Sequence, residues 1–341
     1  MRPALSVLIV AYESGDDLRK TLPALLRELG EGDELIVVEN KAGDGSVEVV
    51  RELAPRARVV HMGRNSGFTG GIDAGAEAAS GDLLVFLNPD AVPRAGFGEA
   101  IRRPWREGRG WAAWQALVAD GAGGRINSAG NPIHFTGIVW AGDHGRPIAE
   151  APPPREVPAL SGACLAIPRE SWRRVGGFPA RFFMYHEDVD LSVRLRMAGG
   201  IVGIEPTAVV AHAYDFDASP DKWRWLERNR LAFLVRTYPA SLLLLLAPAL
   251  LATELALLAV STAGGWGSQK RRANREFLTW LPRLLRERRA IQRSRTVSPA
   301  EFASWLTPDL DSDLISPAAR SRPARLLLRA YWRAVLLLLP D

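Results

Sequence analysis

The sequence predicts an α/β domain, a parallel sheet with helices on both faces, followed by a helical C-terminal region. Three observations carry this. Short apolar runs of strand length alternate with helix-length segments over the first ninety residues. From residue 240 the composition turns to leucine and then to arginine. The charge divides near the same place: from Gly264 onward there are 15 Lys or Arg against 7 Asp or Glu, and before it 28 against 31. An anionic partner therefore belongs to the C-terminal part. With 341 residues the chain has room for one large domain, expected over 1–238, and an appendage over 239–341.

Leu5–Tyr12 is a continuous apolar run and reads as the first strand. As a signal peptide it is too short and lacks a small-residue cleavage pattern, so the N-terminal part is expected to stay where it is made. Ser-Gly-Asp-Asp then opens a helix through Leu29. Glu34–Glu39 is a second strand, 46–53 a helix, 59–62 a third strand, 70–79 a small-residue helix and 83–87 a fourth strand. Beyond Asn88 the chain is rich in Gly, Trp and Pro, with strands expected at 112–118 and 132–139 and a loop or strap at Pro152–Pro154. Order returns with 159–167, a helix over 169–175, a helix opened by an acidic stretch, a strand at 208–211 and a helix over 222–238 closed by Pro239. The lone Cys164 excludes an internal disulfide, and its neighbours GACLAI mark it as a small buried residue rather than a nucleophile.

In an open α/β sheet, ligands bind beyond the carboxyl ends of the strands. Those ends carry Ala11-Tyr12-Glu13, Glu39-Asn40, the loop GRNSGFTGG and Asn88-Pro89-Asp90. Tyr12 offers a stacking face, Glu39 an acceptor for a base N–H, and the glycines allow close approach to phosphates. The spacing from Gly67 to Gly75 is G-x-x-G-G-x-x-x-G and follows the third strand, which argues against a dinucleotide-binding dehydrogenase. Asp90 is either a helix N-cap or one ligand of a hard divalent cation completed by substrate phosphates. His212, ending an apolar strand, is either structural or a partner of Asp90 at that cation.

The stretch MYHEDVDLSVRLRMAGG crowds Glu187, Asp188 and Asp190 against Phe182, Phe183 and Tyr185. A helix start accounts for Asp190, which pairs with Arg194 at i,i+4. It does not account for two acids beside aromatics. A carboxylate desolvated in this way has a raised pKa and suits a general base.

The segments SVLIVAYES, VVENKAGDGS, RNSGFTGGIDAG, LLVFLNPDA, LSGACLAI, VGGFPARFFMYHEDVDLSVRLRMAGG and LERNRL occur in the order found in family 2 glycosyltransferases. The chain resembles the bacterial rhamnosyltransferase-like branch from residue 5 to about 240, and its tail resembles that branch too. The resemblance implies the GT-A fold, a Rossmann-like mixed sheet flanked by helices, and inverting transfer of a sugar. The donor would be a nucleotide sugar, dTDP- or UDP-linked and rhamnose-like; the acceptor would be a hydroxyl of a lipid-linked or cell-surface glycan. It assigns Ala11, Tyr12, Glu13, Glu39, Asn65, Gly67, Gly71, Asn88 and Asp90 to the donor. Gly162, Tyr185 and His186 fall on the acceptor side. Asp188 becomes the base with Glu187 beside it, and Asp90 with His212 would hold Mg²⁺ or Mn²⁺. The chain departs from the family pattern at Glu13, Glu39, Asp73, Asn88 and Pro179-Ala180. These departures bear on base and donor choice.

Residues 240–263 approach the length of a membrane span. Glu254 near a bilayer centre would cost about 2.5–3.5 kcal/mol, and a single span would carry the basic tail across against the positive-inside tendency. Helices lying in the cytoplasmic leaflet are expected, with Arg271, Arg272, Arg275, Arg286, Arg288 and Arg289 on anionic headgroups. The alternative is a soluble bundle or homodimer that buries the apolar stripe. Nothing resembles a nucleic-acid-reading element. A nucleotidyltransferase would need a Gly-rich basic loop after the first strand, which AYESGDD does not supply. A catalytically silent nucleotide-sugar-binding or scaffold protein is the remaining rival, permitted by Asn88, Glu13 and Glu39.

Overall fold

The structure, a computed structural model, describes residues 3–213, 221–311 and 321–340. The chain forms two compact units. One comprises Met1–Asn131, Ala141–Leu195 and Gly200–Asp215, the other Pro132–Trp140, Arg196–Gly199 and Phe216–Asp341.

In chain order the elements begin β1 Leu5–Ala11, α1 Gly15–Leu26, β2 Glu34–Glu39, α2 Ser46–Leu53, β3 Arg58–His61, α3 Gly67–Ala78 and β4 Leu83–Leu87. They continue β5 Ala91–Pro93, α4 Phe97–Ile101, α5 Arg103–Arg106, β6 Trp111–Asp120, β7 Ile126–Ser128, β8 Ile133–His134 and β9 Arg155–Glu156. Next come β10 Cys164–Pro168, α6 Arg169–Val175, α7 Glu187–Met197 and β11 Ile201–His212. The remainder is α8 Lys222–Thr237, α9 Ala240–Ala263, α10 Gly267–Arg293, α11 Pro299–Ser304, β12 Leu306–Thr307 and α12 Arg322–Leu338.

The first unit holds a sheet of order β3-β2-β1-β4-β10-β6-β11-β5, with β7 on β6 and β9 on β11. The strands β3, β2, β1 and β4 are mutually parallel. The parallel run read from the first ninety residues holds through β4; β10 runs antiparallel to both β4 and β6, and β5 antiparallel to β11, which makes the sheet mixed, as the family resemblance implies. An apolar strand buried on both faces has no period that encodes its direction. Likewise β11 starts earlier than its apolar end suggested, because Pro206 sits in a register shift between Glu205 and Val209 rather than ending the strand.

Alternation along β1 sends Leu5, Val7 and Ile9 to the α1 and α2 side, with Leu18, Leu22, Val49 and Val50. It sends Leu8 and Val10 to the opposite side, with Ile72, Trp172, Leu191 and Leu195. Helix α3 packs on this second face because Gly71 has no Cβ; one there would lie 2.6 Å from Val10 Cγ1. Cys164 is fully buried, and burial pushes its thiol upward, away from reactivity.

In the second unit, the expected strand over 132–139 shrinks to Ile133–His134, paired in parallel with Leu306–Thr307. Phe135 stacks on Trp332 at 5.2 Å, and Arg230 Nη1 donates to Thr136 O at 3.1 Å. Helix α8 buries Glu227, Arg228, Asn229 and Arg230. Glu227 accepts from Arg230 at 2.9 Å and from Lys270 at 2.5 Å, while Glu254 of α9 accepts from Lys270 at 2.7 Å and from Arg230. Glu254, costly in an isolated span, is thus paired to two cations.

Helix α9 runs through Pro248, and its most apolar window is 6% buried. Leu244, Leu251 and Leu255 are exposed, as are Leu327 and Leu337 of α12. Among the described residues the apolar stripe of this unit is thus left mostly exposed. Arg271, Arg275, Arg286 and Arg289 are exposed on α10. One of the six arginines expected at a surface is turned to backbone carbonyls, while Arg272 stays exposed. Arg288 Nη1 donates to Val235 O at 2.8 Å and Tyr238 O at 2.6 Å, and Arg272 pairs with Glu276 at 3.2 Å. The carbonyls at the end of α8, invisible in the local pattern of α10, decide that Arg288 turns inward.

Candidate active site

The candidate residues of the first unit gather at the carboxyl ends of β1, β2, β3 and β4 and at the start of α7. Beyond β1, Tyr12 is 43% exposed and Glu13 is left-handed at φ 53°. The turn is held from the β2–α2 loop: Glu13 N donates to Asp44 Oδ2 at 2.6 Å and Ser14 N to Ser46 Oγ at 3.1 Å. Lys41 pairs with Glu13 and lies 5.3 Å from the Tyr12 ring centroid. Glu39 closes β2 with Oε2 2.5 Å from His61 Nδ1.

Asn40 organises the loop before α3. Its Nδ2 donates to Asn65 Oδ1 and to Gly67 O, both at 3.1 Å, and its Oδ1 accepts from Ser66 N at 2.8 Å. Gly67, at φ +71°, lies against the Phe183 carbonyl, and Thr69 N donates to that carbonyl at 3.1 Å. The bare Cα positions of Gly67 and Gly71 are thus occupied by protein.

At the end of β4, Asp90 Oδ1 lies 3.1 Å from His212 Nε2, and Asn88 Nδ2 lies 3.3 Å from the same nitrogen. His212 is buried and Asp90 partly exposed. Among the described residues no group of three or more His, Cys, Asp or Glu forms a closed metal cage. One carboxylate and one imidazole suit a divalent ion that takes its remaining ligands from substrate phosphates and water, as Mg²⁺ and Mn²⁺ do.

One backbone segment joins this corner to the acids of α7. Asn88 N donates to Ala163 O at 2.9 Å, and Gly162 N donates to Asp188 Oδ2 at 2.8 Å. Asp188 Oδ1 accepts from Val189 N at 2.8 Å. Glu187 is 5% exposed, and its Oε2 accepts no hydrogen bond among the described residues. A Cβ on Gly162 would stand 3.5 Å from Asp188 Oδ2 and 3.6 Å from Glu187 Oε1, so both carboxylates border the space that glycine leaves. Burial raises the pKa of both acids, and the neighbouring Asp188 charge raises Glu187 further. Backbone N–H groups oppose the shift at Asp188. The upward shift is the stronger at Glu187, while the backbone N–H groups favour the charged form of Asp188.

Three non-glycine residues ahead of α7 have positive φ: Phe183 at 69°, Tyr185 at 69° and His186 at 67°. Such strain collects where a site fixes side-chain direction. The expected i,i+4 pair forms, with Arg194 Nε 2.5 Å from Asp190 Oδ1. The same guanidinium donates to Val175 O and Gly177 O, both at 2.6 Å, which ties α7 to the loop after α6. His61 was not singled out from the sequence; its signal is a polar residue closing a strand beside Glu39.

Residues 6–176 match a family model described as glycosyl transferase family 2. The N-acetylglucosaminyl-diphospho-decaprenol L-rhamnosyltransferase of Mycobacterium tuberculosis is 29% identical over 241 residues, 62% of this chain and 76% of that protein. The O-antigen biosynthesis protein RfbC of Myxococcus xanthus is 25% identical over 240 residues, 66% of this chain and 19% of that one. Among solved structures, GalNAc-T7 with UDP, GalNAc and Mn²⁺ superposes with a TM-score of 0.56 at 16% identity. That match covers 69% of this chain and about half, 48%, of the other, and it speaks to the fold alone.

Proposed function

Because the chain belongs to glycosyl transferase family 2 and has a GT-A fold, we propose that it moves a sugar, with inversion, from a nucleotide-sugar donor to an acceptor hydroxyl. The observation that carries the mechanism is the acid pair at Gly162. Asp188, held by two backbone N–H groups, takes the proton from the acceptor hydroxyl as its oxygen attacks the anomeric carbon. Glu187 beside it stays protonated, which keeps a second charge out of the buried pair and leaves Asp188 ionised and able to accept a proton. Gly162, Tyr185 and His186 border the acceptor, the strained turn fixing the direction of Tyr185 and His186.

On the donor side, Tyr12 stacks on the base and Glu39 accepts its N–H, while Ala11, Glu13 and the loop from Asn65 to Gly71 flank the nucleotide. Asp90 and His212, with Asn88 beside them, would hold Mg²⁺ or Mn²⁺, which supplies positive charge to the departing diphosphate. The resemblance and the mycobacterial relative favour a rhamnose-like sugar on dTDP or UDP and an acceptor sugar on a lipid diphosphate.

The test is nucleoside diphosphate release from a panel of nucleotide sugars, with Mg²⁺ or Mn²⁺ and a polyprenyl-diphosphate-linked acceptor. Release from one donor, abolished by chelation and by Asp90→Ala, is expected. Silence across the panel with acceptor present, while nucleotide still binds, would instead mark a silent binding protein.

The exposed leucines of α9 and α12 and the exposed arginines of α10 support residence on the cytoplasmic face of a membrane, where a lipid-linked acceptor lies. The protein is expected to co-sediment with vesicles containing anionic lipid, less so in high salt, and the double change Leu251→Asp and Leu255→Asp should weaken this. Equal partitioning with and without vesicles would refute the membrane reading.

A further inference from the structure

Glu39 closes β2 in register with Ala11 of β1 and with His61 of β3. Laterally paired residues of a parallel sheet point to one face. Here that face is the one on which Leu35 and Val37 are buried, so Glu39 and His61 form its polar end. His61 Nδ1 stands 2.5 Å from Glu39 Oε2, and Glu39 Oε1 accepts no hydrogen bond among the described residues. The Glu39 side chain is 11% exposed and that of His61 55%, so the pair sits at the rim with its carboxylate largely enclosed.

We propose that His61 is a positioning residue that sets base selectivity: it holds Glu39 so that only one carboxylate oxygen is offered to the nucleotide base. This rests on the nucleotide-sugar reading above. A single acceptor fits uracil or thymine, whose one ring N–H lies between two carbonyls. Guanine presents N1–H and N2–H side by side and needs both oxygens of a carboxylate turned edge-on to it; with Oε2 directed at the His61 ring, Glu39 is turned to offer Oε1 alone, and one of those donors is left without a partner. Leaving a polar group unpaired is a stronger discriminator than any loss of contact area. Glu also has three side-chain torsions, and without a partner it would sample several orientations and offer either one oxygen or two. His61 removes that freedom. Tyr12 stacks on any base and cannot supply the distinction.

The experiment is calorimetric titration of the full-length protein with UDP, dTDP and GDP in the presence of Mn²⁺. Wild type is expected to bind UDP or dTDP at least about tenfold more tightly than GDP, the scale of one buried hydrogen bond to a charged group. His61→Ala should bring that ratio close to one. His61→Gln, whose amide can donate to Oε2, should restore most of it. A uniform loss for all three nucleotides in both variants would mean a structural role only and overturn the proposal, as would a wild-type preference for GDP. If wild type binds none of the three, the nucleotide-sugar reading falls and this proposal with it; binding without the selectivity change removes the His61 assignment alone.

Discussion

Asp188→Asn is expected to lower kcat for sugar transfer by about two to four orders of magnitude, the range that a positioned general base contributes. The substituted side chain keeps an oxygen for Gly162 N, so the turn and the donor site should survive, and nucleotide affinity measured by calorimetry serves as the control. Glu187→Gln discriminates between the two acids. If Glu187 is the proton-bearing member, the amide imitates it and activity falls by less than about tenfold. Since burial holds the pKa of Asp188 above the ordinary carboxylate range, the rate should rise with pH through that raised value, and the profile should flatten in the Asn variant. An Asp188→Asn protein that keeps a tenth or more of the wild-type rate would remove Asp188 from the role of base.

In the helical unit, Glu227→Gln is expected to cost about 3–5 kcal/mol, the penalty for breaking one side of a buried charge network. Lys270 is fully buried between Glu227 and Glu254, and Arg230 joins the same two carboxylates. Removing one negative charge leaves two cations facing one acid out of water. The effect should appear in urea unfolding followed by tryptophan fluorescence, because Trp223 and Trp266 stack at 4.7 Å within this unit. A change under about 1 kcal/mol would mean that water or rearrangement satisfies the cations, which buried pairs rarely permit. The pH dependence follows from the same contacts. Arg230 and Lys270 overcome the desolvation of Glu227 and hold its pKa near about 2 against an ordinary 4.5. A depressed acid stabilises the folded state above its unfolded pKa, so this contribution is complete above about pH 5 and disappears as pH falls toward 2. The Gln variant should lose that part of the acid sensitivity.

The family and the α/β class were legible from the strand-end motifs, and the family match and the fold agree with that reading. Strands β2 and β4 and helices α2, α6 and α9 also fall at the bounds the sequence suggested, because each has a clear apolar period or a clear stop. Less was legible wherever a residue's role depends on a partner far along the chain. His61 became visible only when β3 paired with β2 and brought its ring to Glu39. Arg288 matched the other basic residues of α10 in every local respect, yet the carbonyls that end α8 draw it inward.

By itself, then, the sequence determined the inventory: which chemical groups stand at strand ends, where the apolar helix lies, and where positive charge accumulates. Those properties follow from the order of residues within a few turns or one strand. The tertiary structure alone decided that β10 runs against its neighbours and that Glu254 is neutralised by Lys270 and Arg230. It also decided that Gly162 offers its N–H to Asp188 while Glu187 is left with an oxygen accepting no bond among the described residues. The direction of a buried strand, the partner of a buried charge and the donors around a carboxylate are set by groups dozens of residues apart. Only the packing of the whole chain brings them within hydrogen-bond distance.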